Sequence, residues 1–270
     1  MAADVVSLTG ARLAFGDRAL WDHLDLTVAA GEFIAILGPN GTGKTSLLKV
    51  LLGQLPLSAG TALIEGQPIK AGSDRIGYVP QHRAVDRGLS LRGQDLVRLG
   101  IDGHHWGLAP LRRADRAARR SAVDEALAQV RATKLASVPV GVMSGGELQR
   151  VRIAQALATD PALLLCDEPL LNLDPANARL VAELIDRRRQ TGTAVMFVTH
   201  EVNPVLPYVD RVLYLVNGRF RIGTVAEVMT SETLSELYQA DIQVVQVGNR
   251  YVVVGEHFDH SGHTHGHTHE

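Results

Sequence analysis

Eight consecutive residues, Gly38-Pro39-Asn40-Gly41-Thr42-Gly43-Lys44-Thr45, carry the strongest chemical signal in this chain. The glycines free the backbone to curl its N–H groups around an anion. Lys44 adds a positive charge for the outer phosphates, and the Thr45 hydroxyl, followed by Ser46, can hold Mg²⁺. A loop of this kind grips a nucleoside triphosphate when a strand precedes it and a helix follows. Both are expected here, since residues 33–37 form a short apolar run and residues 46–52 suit the first turns of a helix.

Two carboxylates, Asp167 and Glu168, follow the apolar run Leu163-Leu164-Leu165-Cys166. Alone, that pattern also describes a solvated strand end. Beside a phosphate loop it gains a role, because α/β sheets bind ligands at the carboxyl ends of their strands. Asp167 is placed to orient Mg²⁺ through its water shell, and Glu168 to accept a proton from the water that attacks a γ-phosphate. Farther back, Ser144-Gly145-Gly146-Glu147 opens a helical run through Leu148, Val151, Ile153 and Leu157, and Ser144 with Glu147 has capping-box spacing. The same helix start offers unpaired N–H groups and the positive end of the helix dipole to a phosphate. A second anion site so far from the first invites an arrangement in which two copies close over each other's nucleotide.

These groups need a sheet to position them. Residues 5–13 and 24–28 read as alternating strands leading through Ala30-Gly31 to the strand before the loop. The pattern changes between residues 92 and 140, where Val123, Ala126, Leu127 and Val130 recur at helical spacing, as expected of an inserted helical segment. Residues 163–166 and 194–198 are apolar runs separated by a helix carrying Leu180, Val181, Leu184 and Ile185, a strand-helix-strand crossover that implies a parallel sheet. Further strands are expected at 210–216 and 242–254, the latter broken by Gly248-Asn249, before a polar, structureless end at 256–270.

Composition narrows the partners. A formal net charge of -2 over 270 residues supplies no basic field for DNA or RNA, so nucleic acid is not expected. The single cysteine, Cys166, fits a reducing compartment. No secretory pattern opens the chain, and no run approaches the ~18 apolar residues of a membrane span.

In this order, the motifs resemble the ATPase subunit of an ATP-binding cassette (ABC) transporter over roughly residues 5–223. The resemblance implies an α/β P-loop NTPase with a parallel-sheet core, an N-terminal antiparallel β subdomain and an inserted helical subdomain at about 92–150. The ATPase domain would span 1–235, followed by a C-terminal β extension at 236–255 and a disordered tail at 256–270. Four more residues take family roles: Phe15 stacks on adenine, and Gln81 touches Mg²⁺ and senses the membrane partner. Asp174, in Asn172-Leu173-Asp174, belongs to the loop crossing between copies, and His200 contacts the γ-phosphate. Each also has an ordinary reading: Phe15 as core, Gln81 as a surface loop residue, Asp174 as a helix cap before Pro175, and His200 as a strand-end cap. Met143 and Glu147 stand where the family more often has leucine and glutamine, and Asn172 where serine is commoner.

The resemblance further implies ATP and Mg²⁺ as cofactors, a head-to-tail dimer, permease subunits, and a place at the cytoplasmic face of a membrane. The stretch from His200 to Pro207, with Asp210-Arg211-Val212-Leu213-Tyr214, resembles ATPases of zinc and manganese importers, which work with an extracytoplasmic metal-binding protein. Zinc is the expected cargo, with manganese, iron or nickel uptake, or a non-transport ABC ATPase, as alternatives. Six of the eleven histidines, His257, His260, His263, His265, His267 and His269, crowd the last fourteen residues. Imidazoles at that density bind Zn²⁺, although a solvated tail has the same composition. Arg112, Arg113, Arg116, Arg119 and Arg120 read as a solvated face balanced by Asp115, Asp124 and Glu125, or as a contact for lipid headgroups or a coupling helix.

Overall fold

The computed structural model describes residues 4–81, 90–102 and 113–255. The tail histidines, Arg112, and the His104-His105 pair lie outside the described residues.

The chain opens with β1 (Asp4–Phe15) and β2 (Arg18–Ala29), paired antiparallel so that Phe15 faces Arg18 across the turn. Alternation drives the pairing: Val6, Leu8, Leu13, Leu24, Leu26 and Val28 all turn inward. After β3 (Phe33–Leu37) and α1 (Lys44–Leu51), β4 (Ala59–Ile64) and the short β5 (Gln67–Pro68) complete a four-stranded antiparallel sheet ordered β2-β1-β4-β5. Next come β6 (Ile76–Val79) and three helices, α2 (Gly93–Asp102), α3 (Arg113–Gln129) and α4 (Gly145–Leu157). The buried Val123, Ala126, Leu127 and Val130 turn one side of this helical segment toward α4 and the core.

The second half alternates strand and helix: β7 (Leu163–Asp167), α5 (Pro175–Gln190), β8 (Ala194–Val198), β9 (Arg211–Val216), β10 (Arg219–Gly223), α6 (Val225–Val228) and α7 (Ser231–Tyr238). A hairpin, β11 (Ile242–Val247) with β12 (Arg250–Gly255), ends the described chain, its turn at Gly248-Asn249. The main sheet is ordered β10-β9-β3-β8-β7-β6, parallel throughout except for β10.

Because β3, β7 and β8 are buried on both faces, they read as unbroken apolar runs. Successive side chains feed two cores: Phe33, Leu164, Cys166, Val195 and Phe197 pack on the side of α3–α5, while Ile34, Ile36, Leu163, Leu165 and Met196 pack toward α1 and the antiparallel sheet. Complete burial pushes the Cys166 thiol far above its ordinary pKa, so it packs as a small apolar side chain rather than reacting. Parallel strands all end on the same edge, so β3, β6, β7 and β8 deliver their C-terminal loops to one place.

Candidate active site

The phosphate loop leaves β3 and enters α1 along a path that demands glycine. Gly38 has φ +133°, and a Cβ there would lie 2.0 Å from the carbonyl oxygen of Leu215 in β9. Gly43, at φ +97°, rests against the buried Trp21, whose Nε1 would be 3.0 Å from an added Cβ. Gly43 is also the N-cap of α1 and provides no side chain to satisfy the helix's first N–H groups. The loop therefore presents free donors and a dipole end, the condition for holding phosphate. Lys44 is 5% exposed and donates to the carbonyls of Gly38 (2.6 Å) and Pro39 (2.7 Å), lying across the loop it will serve. Burial lowers its pKa, with Glu168 and Asp167 pulling the other way. Thr42 braces the loop by donating to Pro39 (2.9 Å), Asn40 and Gly41 stay exposed at the rim, and Ser46 follows half-buried in α1.

Asp167, the last residue of β7, is 3% exposed and accepts from the Thr45 hydroxyl at 3.1 Å. Burial raises its pKa despite that bond, so its charge is kept at a cost. A buried carboxylate beside a threonine hydroxyl is the oxygen donor set that suits Mg²⁺, and its desolvation is relieved by a cation. Glu168 follows at φ +48°, an unusual conformation for glutamate, held by its N–H bond to Val198 (3.0 Å). That twist turns its side chain along the sheet edge. One oxygen accepts from Gln81 Nε2 at 2.8 Å, and the other is in close contact with His200 Nε2. Strand register explains the meeting: Val79 pairs with Cys166 and Asp167 with Val198, so the residues after β6, β7 and β8 converge. Phe15, 54% exposed, stands at the outer end of β1.

The structure thus joins Lys44, Thr45, Asp167, Glu168, Gln81 and His200 in one site. It does not join Ser144, Gly145, Gly146 and Glu147 to them. Ser144 caps α4: its Oγ accepts from the N–H of Glu147 (3.4 Å), while its own N–H and hydroxyl donate to the Glu147 carboxylate at 2.9 and 2.8 Å. Those bonds hold the Glu147 carboxyl below its usual pKa. Among the described residues, no hydrogen bond or ion pair runs from these four to the phosphate loop or the strand-end carboxylates. Their neighbour is α5 instead, where a Cβ on Gly146 would lie 2.5 Å from the Asn177 side chain. Asp174 caps α5, accepting from Ala176 and Asn177 N–H groups at 3.0 Å each, ahead of Pro175.

Sequence reasoning passed over three neighbours of the site. Arg18 reaches from β2 to donate to the Gly41 carbonyl at 3.1 Å, and its place opposite Phe15 was a possible signal. Tyr78, in β6 three residues before Gln81, turns its hydroxyl toward Asp167 at 3.5 Å. Asn203 lines an open cleft of about 760 Å³ with Glu168, Asn172, His200 and Arg250. Of the arginine cluster, Arg119 pairs with Asp102 and Arg120 with Asp124, while Arg116 is exposed, as a solvated face would have it. Among the described residues, no group of three or more His, Cys, Asp and Glu side chains could hold a metal ion.

The family described as "ABC transporter" matches residues 21–171. The chain is 31% identical over 233 residues to the manganese transport system ATP-binding protein MntB of Listeria innocua, covering 86% of this chain and 95% of that one. It is 34% identical over 238 residues to the zinc transport system ATP-binding protein TroB of Treponema pallidum, covering 87% of each. Among solved structures, an ABC transporter in an inward-facing conformation superimposes with a TM-score of 0.75 at 27% identity, covering 93% of this chain and 96% of that one.

Proposed function

The chain belongs to the ABC transporter family as its ATP-hydrolysing subunit, and we propose that it drives uptake of a divalent metal ion, zinc first, through separate permease subunits. The observation that carries this reading is the convergence of Lys44, Thr45, Asp167, Glu168, Gln81 and His200 on one sheet edge. An importer ATPase of this family works as a dimer with membrane permeases. None of the helices among the described residues is long and apolar enough to cross a membrane.

In the proposed mechanism, adenine stacks on the exposed ring of Phe15 and the triphosphate lies in the loop from Gly38 to Thr45. Lys44 exchanges the carbonyls of Gly38 and Pro39 for phosphate oxygens. Thr45, Asp167 and Gln81 are the residues that would hold Mg²⁺, which when bound neutralises charge on the outer phosphates. Glu168 takes a proton from water as the water oxygen attacks the γ-phosphorus in line; the bond to the ADP oxygen breaks, releasing ADP and phosphate. His200, already against Glu168, donates to the γ-phosphate. The partner copy's Ser144, Gly145 and Gly146 close the site from the other side with helix N–H groups, while Asp174 lies in the loop that crosses between copies. Closure then reaches the permeases through Gln81 and the helical segment, with both subunits at the cytoplasmic face.

Zinc rests on the likeness to TroB and on the tail's imidazole density, and an extracytoplasmic binding protein would deliver it. The likeness to MntB supports manganese as the second reading. Disrupting the gene and measuring radioactive zinc and manganese uptake separates them: loss of zinc uptake, restored by the wild-type chain and not by Glu168→Gln, is expected. Loss of manganese uptake with zinc intact selects the second reading. We further propose that His260, His263, His265, His267 and His269 sample cytosolic Zn²⁺. Removal of residues 256–270 should then alter the zinc response of ATP hydrolysis, and an unchanged response removes this role.

A further inference from the structure

The loop that carries His200 is fastened to the C-terminal hairpin by one side chain. Asn203 Nδ2 donates to the carbonyl of Tyr251 at 2.9 Å, and Asn203 Oδ1 accepts from the N–H of the same residue at 2.9 Å. Both bonds go to one backbone unit of β12, so the amide completes that strand's edge as a neighbouring strand would. The residues on either side leave Asn203 little freedom. Val202 and Val205 are buried in the core and bonded to each other (Val205 N–H to Val202, 3.0 Å), which turns Asn203 outward between them. Upstream, Thr199 bonds to Ile36 of β3 and, through its hydroxyl, to Glu201, so His200 sits on a short bridge with β8 at one end and Asn203 near the other.

The hairpin is itself anchored. Ser235 of α7 bonds both the N–H and the carbonyl of Ile242, at 3.0 and 3.1 Å, and Ser231 accepts from Val244 at 2.9 Å. Val244, Tyr251 and Val253 pack against the main core. Arg250, next to the latch, lines the cleft that also holds Glu168, Asn172 and His200. The hairpin is thus the fixed wall, and the His200 loop is the part it holds.

We propose that Asn203 is a positioning residue for hydrolysis: by latching its loop to Tyr251 it holds His200 against Glu168, making the C-terminal hairpin part of the catalytic apparatus. The inference rests on the reading of His200 as a contact for the γ-phosphate. A short loop whose outer end is tied to the hairpin by the Asn203 amide loses orientation when that tether is cut, and catalytic geometry is sensitive to displacements of about 1 Å.

The test is a cycle of variants in the full chain: Asn203→Ala, Tyr251→Pro, the double variant, and Asn203→Ala combined with His200→Ala. Proline at 251 removes the N–H that Asn203 accepts. Asn203→Ala should lower kcat on the order of tenfold, leave the Mg-ATP dissociation constant within about twofold, and leave the unfolding midpoint within a few degrees. Tyr251→Pro should lower kcat at least as much, with a larger drop in unfolding midpoint because it also removes a ring packed on the core. The double variant should be no slower than Tyr251→Pro, and Asn203→Ala should add nothing once His200 is gone. Asn203→Asp, which keeps the acceptor and loses the donor, should fall between Asn203→Ala and the wild type. A wild-type kcat in Asn203→Ala, or a loss that multiplies in full with His200→Ala, overturns the latch. If His200→Ala itself hydrolyses ATP normally, the reading of the site fails instead; His200→Ala impaired beside a normal Asn203→Ala rejects the latch alone.

Discussion

Two regions that the proposed chemistry needs together are bonded in opposite ways. At the carboxyl edge of the main sheet, Thr45 holds Asp167, and Gln81 and His200 both hold Glu168, so residues 45, 81, 167, 168 and 200 form one network across four strand ends. At the start of α4, the Ser144 and Glu147 side chains bond each other, with Ser144 and Gly145 facing solvent. The first region is assembled by the fold, because parallel register leaves it no choice. The second is finished as a helix cap and unfinished as a phosphate site, which is what a subunit completing its partner's pocket would look like.

The largest expected effect lies in the assembled region. Glu168→Gln keeps the bonds to Gln81 and His200 within reach but cannot take a proton, so hydrolysis should slow by about 10²- to 10⁴-fold while Mg-ATP binding persists. A near-normal rate measured by phosphate release would assign the base elsewhere. In the self-capped region, Ser144→Arg should cut hydrolysis by about 10²-fold, since in the proposed dimer the added side chain would block the partner's γ-phosphate. ATP affinity of the single subunit should stay within about twofold, and a parallel loss in equilibrium binding would mean that the two regions share one chain's pocket.

A smaller effect separates function from stability. Burial raises the Asp167 pKa, so the folded chain holds that proton more tightly than the unfolded chain. Stability from this group is present at low pH and is lost as pH rises from the ordinary carboxylate value through the raised one. Asp167→Asn should therefore be more stable than the wild type at pH 7, with the gap closing as pH falls to the ordinary carboxylate range, even as Mg²⁺-dependent hydrolysis fails. Equal unfolding midpoints at pH 7 would show that Thr45 and Lys44 fully offset the desolvation. Smallest of all, in the proposed dimer Glu147→Gln would take a negative charge away from the partner's phosphates, and ATP-dependent closure should tighten by about threefold. Weaker closure would show that Glu147 acts chiefly as the cap of α4.

Local signals were legible in the sequence. The phosphate loop, the apolar runs of β3, β7 and β8, the Ser144–Glu147 cap and the Asp174-Pro175 helix start each depend on residues within a few positions of one another. What lay hidden depends on separation. Arg18 meets Gly41 across 23 residues, and Asn203 meets Tyr251 across 48, and neither bond leaves a periodic trace. Nor does sequence alone reveal the left-handed backbone of Glu168, whose N–H is held by Val198, a residue 30 positions away. The expected strand at 242–254 was readable down to its turn, yet its meaning required the loop it grips.

Sedimentation of the Glu168→Gln chain, with and without Mg-ATP, addresses the shared pocket most directly. The assembled and self-capped regions should meet in a dimer that forms only with Mg-ATP and disappears when Ser144→Arg is added. A protein that keeps its monomer mass at saturating Mg-ATP would contradict the account.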